Sequence, residues 1–190
     1  MVKRLLRVGC VAFAGLVFAG MSSQARADWL DELFGGGGGS SHRVAFSQKY
    51  TPGQIIVSFG DRRLYYVTRK GEAISYPIAI PKGDARWSGI SVVSDKRVNP
   101  SWTPTAQMRR ENPKLPAYVP GGHPRNPLGN RALYLGSSMY RIHGTDAPSQ
   151  IGDEVSHGCI RMHNSDVADL YIRAHVGTRV TVTWARFGTS

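Results

Sequence analysis

The sequence predicts a mainly β domain with one or two short helices and long functional loops, on three observations. Short apolar runs are bounded by Gly, Pro, Asn and Asp. A Pro- and Gly-rich stretch from Ser88 to Gly129 interrupts them, and a single later segment has clear helical spacing. The chain of 190 residues, 41% hydrophobic with eight Tyr, six Phe and four Trp, suits one modest globular domain with a real core, which excludes a multidomain machine and wholesale disorder.

In chain order, residues 1–27 read as a secretory signal. Lys3, Arg4 and Arg7 precede the apolar run Val8 to Met21, and Ala25-Arg26-Ala27 offers an Ala-x-Ala site, so cleavage is expected after Ala27. The run is shorter than the roughly 20 residues of a spanning helix. Cys10 opens that run rather than closing it, which is not the arrangement of a lipidation signal. Export to the periplasm is the expectation. Residues 28–42 follow as a short amphipathic stretch, Asp28 to Phe34, and a tether, Gly35 to Ser41, whose composition cannot hold a fixed backbone. The glycine run has neither a preceding strand nor a following Lys-Ser/Thr, so it is no phosphate loop.

The domain proper is expected over 43–190. Ile55, Val57 and Phe59 alternate, Leu64 to Val67 follow, Lys70-Gly71 turns, and Ile74 to Ile80 runs on, which makes a β-meander. Ser88 to Gly129 reads as a long loop, a candidate lid, with one helical segment at Pro104 to Glu111 stopped by Pro113. Further β-rich runs are Arg131 to Leu135, Met139 to Ile142 and Thr178 to Trp184. Between the last two, Asn164 or Ser165 can cap a helix in which Val167, Leu170, Tyr171 and Ala174 share a face before Gly177 ends it.

Cleavage would leave Cys159 as the one thiol of an exported chain, in a compartment that oxidises unpartnered thiols, so its presence points to catalysis. It stands in Ser156-His157-Gly158-Cys159-Ile160-Arg161-Met162, a polar, loop-like setting in which a buried structural cysteine is not expected. A thiol needs a base or positive neighbours to react at neutral pH. His157 is near in sequence, and His143 ends a strand upstream in Tyr140-Arg141-Ile142-His143-Gly144-Thr145. Gly158 allows close approach of a carbonyl, and the Gly158 and Cys159 N–H groups can form an oxyanion hole. Zinc ligation by His157 and Cys159 with His143 or His163 is the weaker alternative, because it lacks a second cysteine or a carboxylate. His123 and His175 read as surface or capping residues. The basic excess, 24 Lys+Arg over 13 Asp+Glu, fits a solvated surface or attraction to an anionic polymer or membrane; with no basic run interleaved with aromatics, nucleic acid is not expected.

These residues resemble the L,D-transpeptidases with a YkuD-like catalytic domain. Ile142-His143-Gly144-Thr145, Ile151-Gly152 and Ser156-His157-Gly158-Cys159-Ile160-Arg161-Met162 stand in that family's order and spacing, and Pro120-Gly121-Gly122, Asn126-Pro127-Leu128-Gly129 and Ala132 to Leu135 resemble its upstream segment. The resemblance runs from Gln54 to Trp184. It implies a β-sandwich-type domain, no metal and no cofactor. It implies that Cys159 attacks a peptidoglycan stem tetrapeptide and releases D-Ala, and that an amine then takes the acyl group, giving a 3→3 cross-link or attachment of an outer-membrane or wall-attached protein. By the same resemblance His143 is the general base, the Gly144 carbonyl orients its ring, His157 shapes the loop or supports the oxyanion hole, and Arg161 and Ser156 bind the stem. Hydrolysis of the same acyl-enzyme, an L,D-carboxypeptidase or other cysteine peptidase reaction, is the alternative.

Overall fold

The computed structural model describes residues 41–188. The expected signal segment and nearly all of the expected tether lie outside them. His42, expected beside the tether, already belongs to the first strand, β1 (His42–Ala45), whose His42 pairs with Ser75.

The expected meander is present as β2 (Ile55–Ser58), β3 (Arg63–Arg69) and β4 (Glu72–Pro77), paired antiparallel in sequence. Gly71, at φ +84°, makes the tight β3–β4 turn that a side chain would strain. The run expected to continue to Ile80 breaks at Pro77, and Ile80–Pro81 forms a separate β5. Alternation predicted a single buried face for β2, yet Ile55, Ile56 and Val57 are all fully buried. Ile55 and Val57 join the main core, while Ile56 joins Phe46, Tyr65, Val67 and Ala73 in a second cluster, with Val44, Tyr50 and Phe187 packed against it. This part of the sheet is therefore covered on both faces.

The stretch expected as one long loop contains the ten-residue strand β6 (Gly89–Val98). Its first half pairs with β11 (Arg179–Thr183) and its second with β7 (Arg131–Leu135), with an irregularity between Val93 and Asp95. Only Val93 is fully buried, and Ile90 and Val92 face outward, so the strand never shows the period-two pattern that would reveal it. The candidate lid thus shrinks to the segment between β6 and β7. Within it α1 (Ala106–Glu111) is capped by Thr105, whose hydroxyl accepts from Met108 N–H at 3.2 Å.

The remaining elements are β8 (Arg141–His143), β9 (Glu154–Ser156), β10 (Ile160–Arg161) and α2 (Asn164–Arg173). The large sheet runs β1-β4-β3-β2-β11-β6-β7-β8-β10, and β5 pairs with β9 beside it. The main core draws on β2, β3 and β4, on β7, β8 and β10, and on Val167 and Leu170 of α2, so the two halves joined by β6 share one apolar interior. The architecture is the mainly β, sandwich-type domain expected.

Candidate active site

β8 and β10 pair in parallel, with Ile142 opposite Ile160 and His143 opposite Arg161. Continuing that register one step back sets Arg141 beside Cys159. Side chains alternate along a strand, so the fully buried Ile142 and Ile160 face the core while Arg141, His143, Cys159 and Arg161 share the other face. Strands lie about 4.8 Å apart and alternate residues along one about 6.6 Å apart, so the four mark out a rectangle, with His143 and Cys159 on one diagonal and the two arginines on the other. The register thus places the thiol and an imidazole on one face of adjoining strands, and Cys159 Sγ itself lies 3.9 Å from the Met139 carbonyl.

His143 is buried, at 3% exposure, and its Nδ1 lies 2.6 Å from the Gly144 carbonyl. That contact fixes Nδ1 as the protonated nitrogen and leaves the Nε2 lone pair free to accept a proton. Burial drives the imidazole down to about 3, against the pull of the Gly144 carbonyl, with the charges of Arg161 and Arg141 adding to the fall. Burial also pushes the Cys159 thiol up, opposed by Arg141 and by the charge of Arg161. Both shifts run toward the neutral forms, a thiol and an imidazole.

Three anchors fix the loop that carries the thiol. Ser156, expected to bind substrate, is buried instead and its hydroxyl donates to the Cys159 carbonyl, closing the loop on itself. Lys82 N–H donates to the Ser156 carbonyl at 3.0 Å, as β5 runs beside β9. Trp87 Nε1–H donates to the Gly158 carbonyl at 2.9 Å, and its ring stacks on Tyr140 at 4.6 Å and 6°. Gly158 sits at φ +119°, and a Cβ there would come within 2.4 Å of the Tyr140 ring, so the position excludes every side chain.

The expectation that His157 assists the oxyanion hole or shapes the loop meets a specific contact: its Nε2 is 2.9 Å from Glu111 Oε2, at the end of α1. Arg161 donates from Nη1 to Gln150 Oε1 at 3.1 Å. The Nε atoms of Arg161 and Arg141 are buried without a partner. Among the described residues no three His, Cys, Asp or Glu side chains gather as a metal site, and His163 stands as the N-cap of α2.

Three residues of this neighbourhood escaped the sequence. Arg141 could have been found, since it lies two positions before His143 and strand alternation puts both on one face. Trp87 carries no local signal, because its partner lies 71 residues away. Asn164, read as a helix cap, sits inside the first turn and turns its amide away: Oδ1 accepts from Thr145 N–H at 3.2 Å and Asn130 N–H at 3.3 Å, and Nδ2 donates to the Thr145 carbonyl at 2.9 Å. Gly129 and Gly144 make room for it, since a Cβ on either would come within about 2.1 Å of Oδ1.

Two cavities are lined in part by the segment between β6 and β7, and the second reaches Tyr140, Ser156 and His157. One of about 550 Å³ is lined by Trp102, Lys114, Tyr118, Arg125 and Asp146. The other, of about 500 Å³, is lined by Lys82, Asp84, Gln107, Glu111, Tyr140 and His157.

Residues 52–182 match the family described as the L,D-transpeptidase catalytic domain, YkuD. The chain is 41% identical over 135 residues to the probable L,D-transpeptidase ErfK/SrfK of Escherichia coli K12, covering 67% of this chain and 43% of that protein. It thus spans less than half the length of that relative. The fold is shared with the catalytic domain of the Enterococcus faecium L,D-transpeptidase acylated by ertapenem, at TM-score 0.54 and 20% identity over 70% of this chain and 98% of that one. A Brucella melitensis protein described as a probable carnitine operon oxidoreductase matches at TM-score 0.50 and 40% identity, over 75% and 92%. A family match across most of the chain, joined to the thiol and imidazole that the β8–β10 register brings together, makes this protein a member of the L,D-transpeptidase family with a YkuD catalytic domain.

Proposed function

We propose that this protein is an exported, periplasmic, cysteine-dependent L,D-transpeptidase that acts on peptidoglycan stem tetrapeptides. The carrying observation is the β8–β10 register, which sets Cys159 diagonally across from a His143 whose Nδ1 is held by Gly144. His143 Nε2 takes the thiol proton as sulfur bonds to the carbonyl carbon between the third stem residue and the terminal D-Ala. The Gly158 and Cys159 N–H groups receive the oxyanion. As the C–N bond breaks, His143 returns its proton to the D-Ala amine. An amine acceptor, a second stem or an outer-membrane or wall-attached protein, then attacks the thioester, gives its proton to His143, and the sulfur leaves to take it back. The products are 3→3 cross-links or an attached protein. The Arg141 and Arg161 charges, which act on Cys159, support the reading because a peptide with a terminal carboxylate next to the scissile bond suits a positively charged site. A thiol oxidoreductase is disfavoured, because the sequence carries no Cys-x-x-Cys.

The test is mass spectrometry of muropeptides incubated with purified protein, with and without a D-amino acid. D-amino-acid exchange and 3→3 dimers, both absent with Cys159→Ala, are expected. Predominant tripeptide despite abundant acceptor would instead mark an L,D-carboxypeptidase, and turnover by Cys159→Ala would remove the cysteine from the mechanism. An N-terminus at Asp28 on protein recovered from the periplasm checks export.

A further inference from the structure

A peptide unit is planar and trans, so its C=O and N–H point in opposite directions. The unit between Gly158 and Cys159 carries the Gly158 carbonyl on one edge and the Cys159 N–H on the other. Whatever grips the carbonyl therefore sets the direction of the N–H. Trp87 Nε1–H grips it at 2.9 Å, from a loop outside the catalytic motif. The indole is held by Tyr140, and its chain neighbour Arg86 is anchored beside it. Its ring stacks on Tyr140, which in turn closes over Gly158, and the adjoining Arg86 binds the Pro81 carbonyl through Nε at 3.1 Å and pairs with Glu154 of β9. The grip matters more because Gly158, at φ +119°, has no side chain to hold its own backbone.

We infer that Trp87 is a positioning residue for acyl transfer, one that aims the Cys159 N–H at the oxyanion by holding the opposite edge of the same peptide unit. The inference rests on the thioester mechanism proposed above. It separates two properties of the site, because attack on a carbonyl requires an aligned oxyanion donor, whereas displacement of iodide from iodoacetamide by the same sulfur does not. Trp87 belongs to the first requirement only.

The experiment compares Trp87→Phe, which keeps an aromatic ring for Tyr140 but has no donor, and Trp87→Met with the unaltered protein. Two rates are measured by intact mass at Cys159: acylation by ertapenem, in which sulfur adds to the lactam carbonyl and the ring nitrogen leaves with the proton, and alkylation by iodoacetamide. Loss of an oxyanion donor costs about 10²–10³-fold, and misaiming one is expected to slow acylation by about tenfold or more, with alkylation within about twofold. With a tetrapeptide, kcat should fall at unchanged KM. Acylation at the original rate in both variants overturns the inference, and so does a parallel loss of acylation and alkylation, which would make Trp87 a support for the loop as a whole. If the unaltered protein gains no ertapenem adduct, or Cys159→Ala gains the same one, it is the thioester mechanism that has failed.

Discussion

Asn164 binds both backbone polar groups of Thr145, and its hold on the Thr145 N–H fixes the peptide unit whose other edge is the Gly144 carbonyl. That carbonyl is what His143 Nδ1 meets, so the amide of Asn164 stands behind the orientation of the base. Asn164→Ala should slow both ertapenem acylation and iodoacetamide alkylation of Cys159 near neutral pH by about tenfold or more, since a general base contributes about 10²–10⁴-fold. The deficit should shrink as rising pH ionises the thiol without help; a deficit constant with pH would indicate a damaged fold. Because burial holds His143 down to about 3, its lone pair is available across the neutral and mildly acidic range. The acylation rate should therefore show no acid limb at the ordinary imidazole value of 6.5, and an inflection there would contradict the neutral imidazole.

At the scale of elements, α1 buries none of its residues, so its place depends on its ends. Thr105 caps one, and at the other Glu111 accepts from Gln107 and meets His157, contacts that hold its carboxyl below the usual range. An exposed pair of this kind is weak, enough to tether a helix with no buried residue but too little to affect the core. Glu111→Ala should raise amide exchange across residues 106–112 while leaving Tm unchanged, and should alter KM for the stem more than the rate of acylation. Unchanged exchange would show that α1 does not depend on this tie. Elements were legible in the sequence where one rule decided them. The β2–β4 meander, α1 and α2 followed from apolar period and from the Gly and Pro residues that bound them, and the His143 and Cys159 motifs could be found because their residue types are chemically specific. β6 was not legible, because a strand that changes partners midway buries neither face regularly. Trp87 and Asn164 were invisible for a related reason, since their contacts arise from chain segments brought together only by the completed sheet.

At the scale of the whole molecule, two buried groups pull stability in opposite directions with pH. His143 falls from 6.5 to about 3 on folding, so the unfolded chain binds its proton first, and the stability this burial carries is full above 6.5 and is lost as pH falls toward 3. Asp166, at 2% exposure with Oδ2 unpartnered, is raised by burial from 3.8 to about 6, with the charge of Asp169 adding and those of His163 and Arg63 opposing. Here the folded chain holds the proton longer, so stability is greatest below 3.8 and declines as pH rises toward 6. Between those values the two slopes offset each other, and the protein should show a shallow pH dependence of Tm. Asp166→Asn keeps the shape and removes the charge that must otherwise form in the core. The variant should be more stable than the unaltered protein at neutral pH and equal to it in acid, with a Tm that now climbs continuously as pH rises from 3 to 6.5. Thermal melts at half-unit pH steps read this directly, and a variant with the same curve as the unaltered protein would mean that Asp166 is not protonated in the folded state.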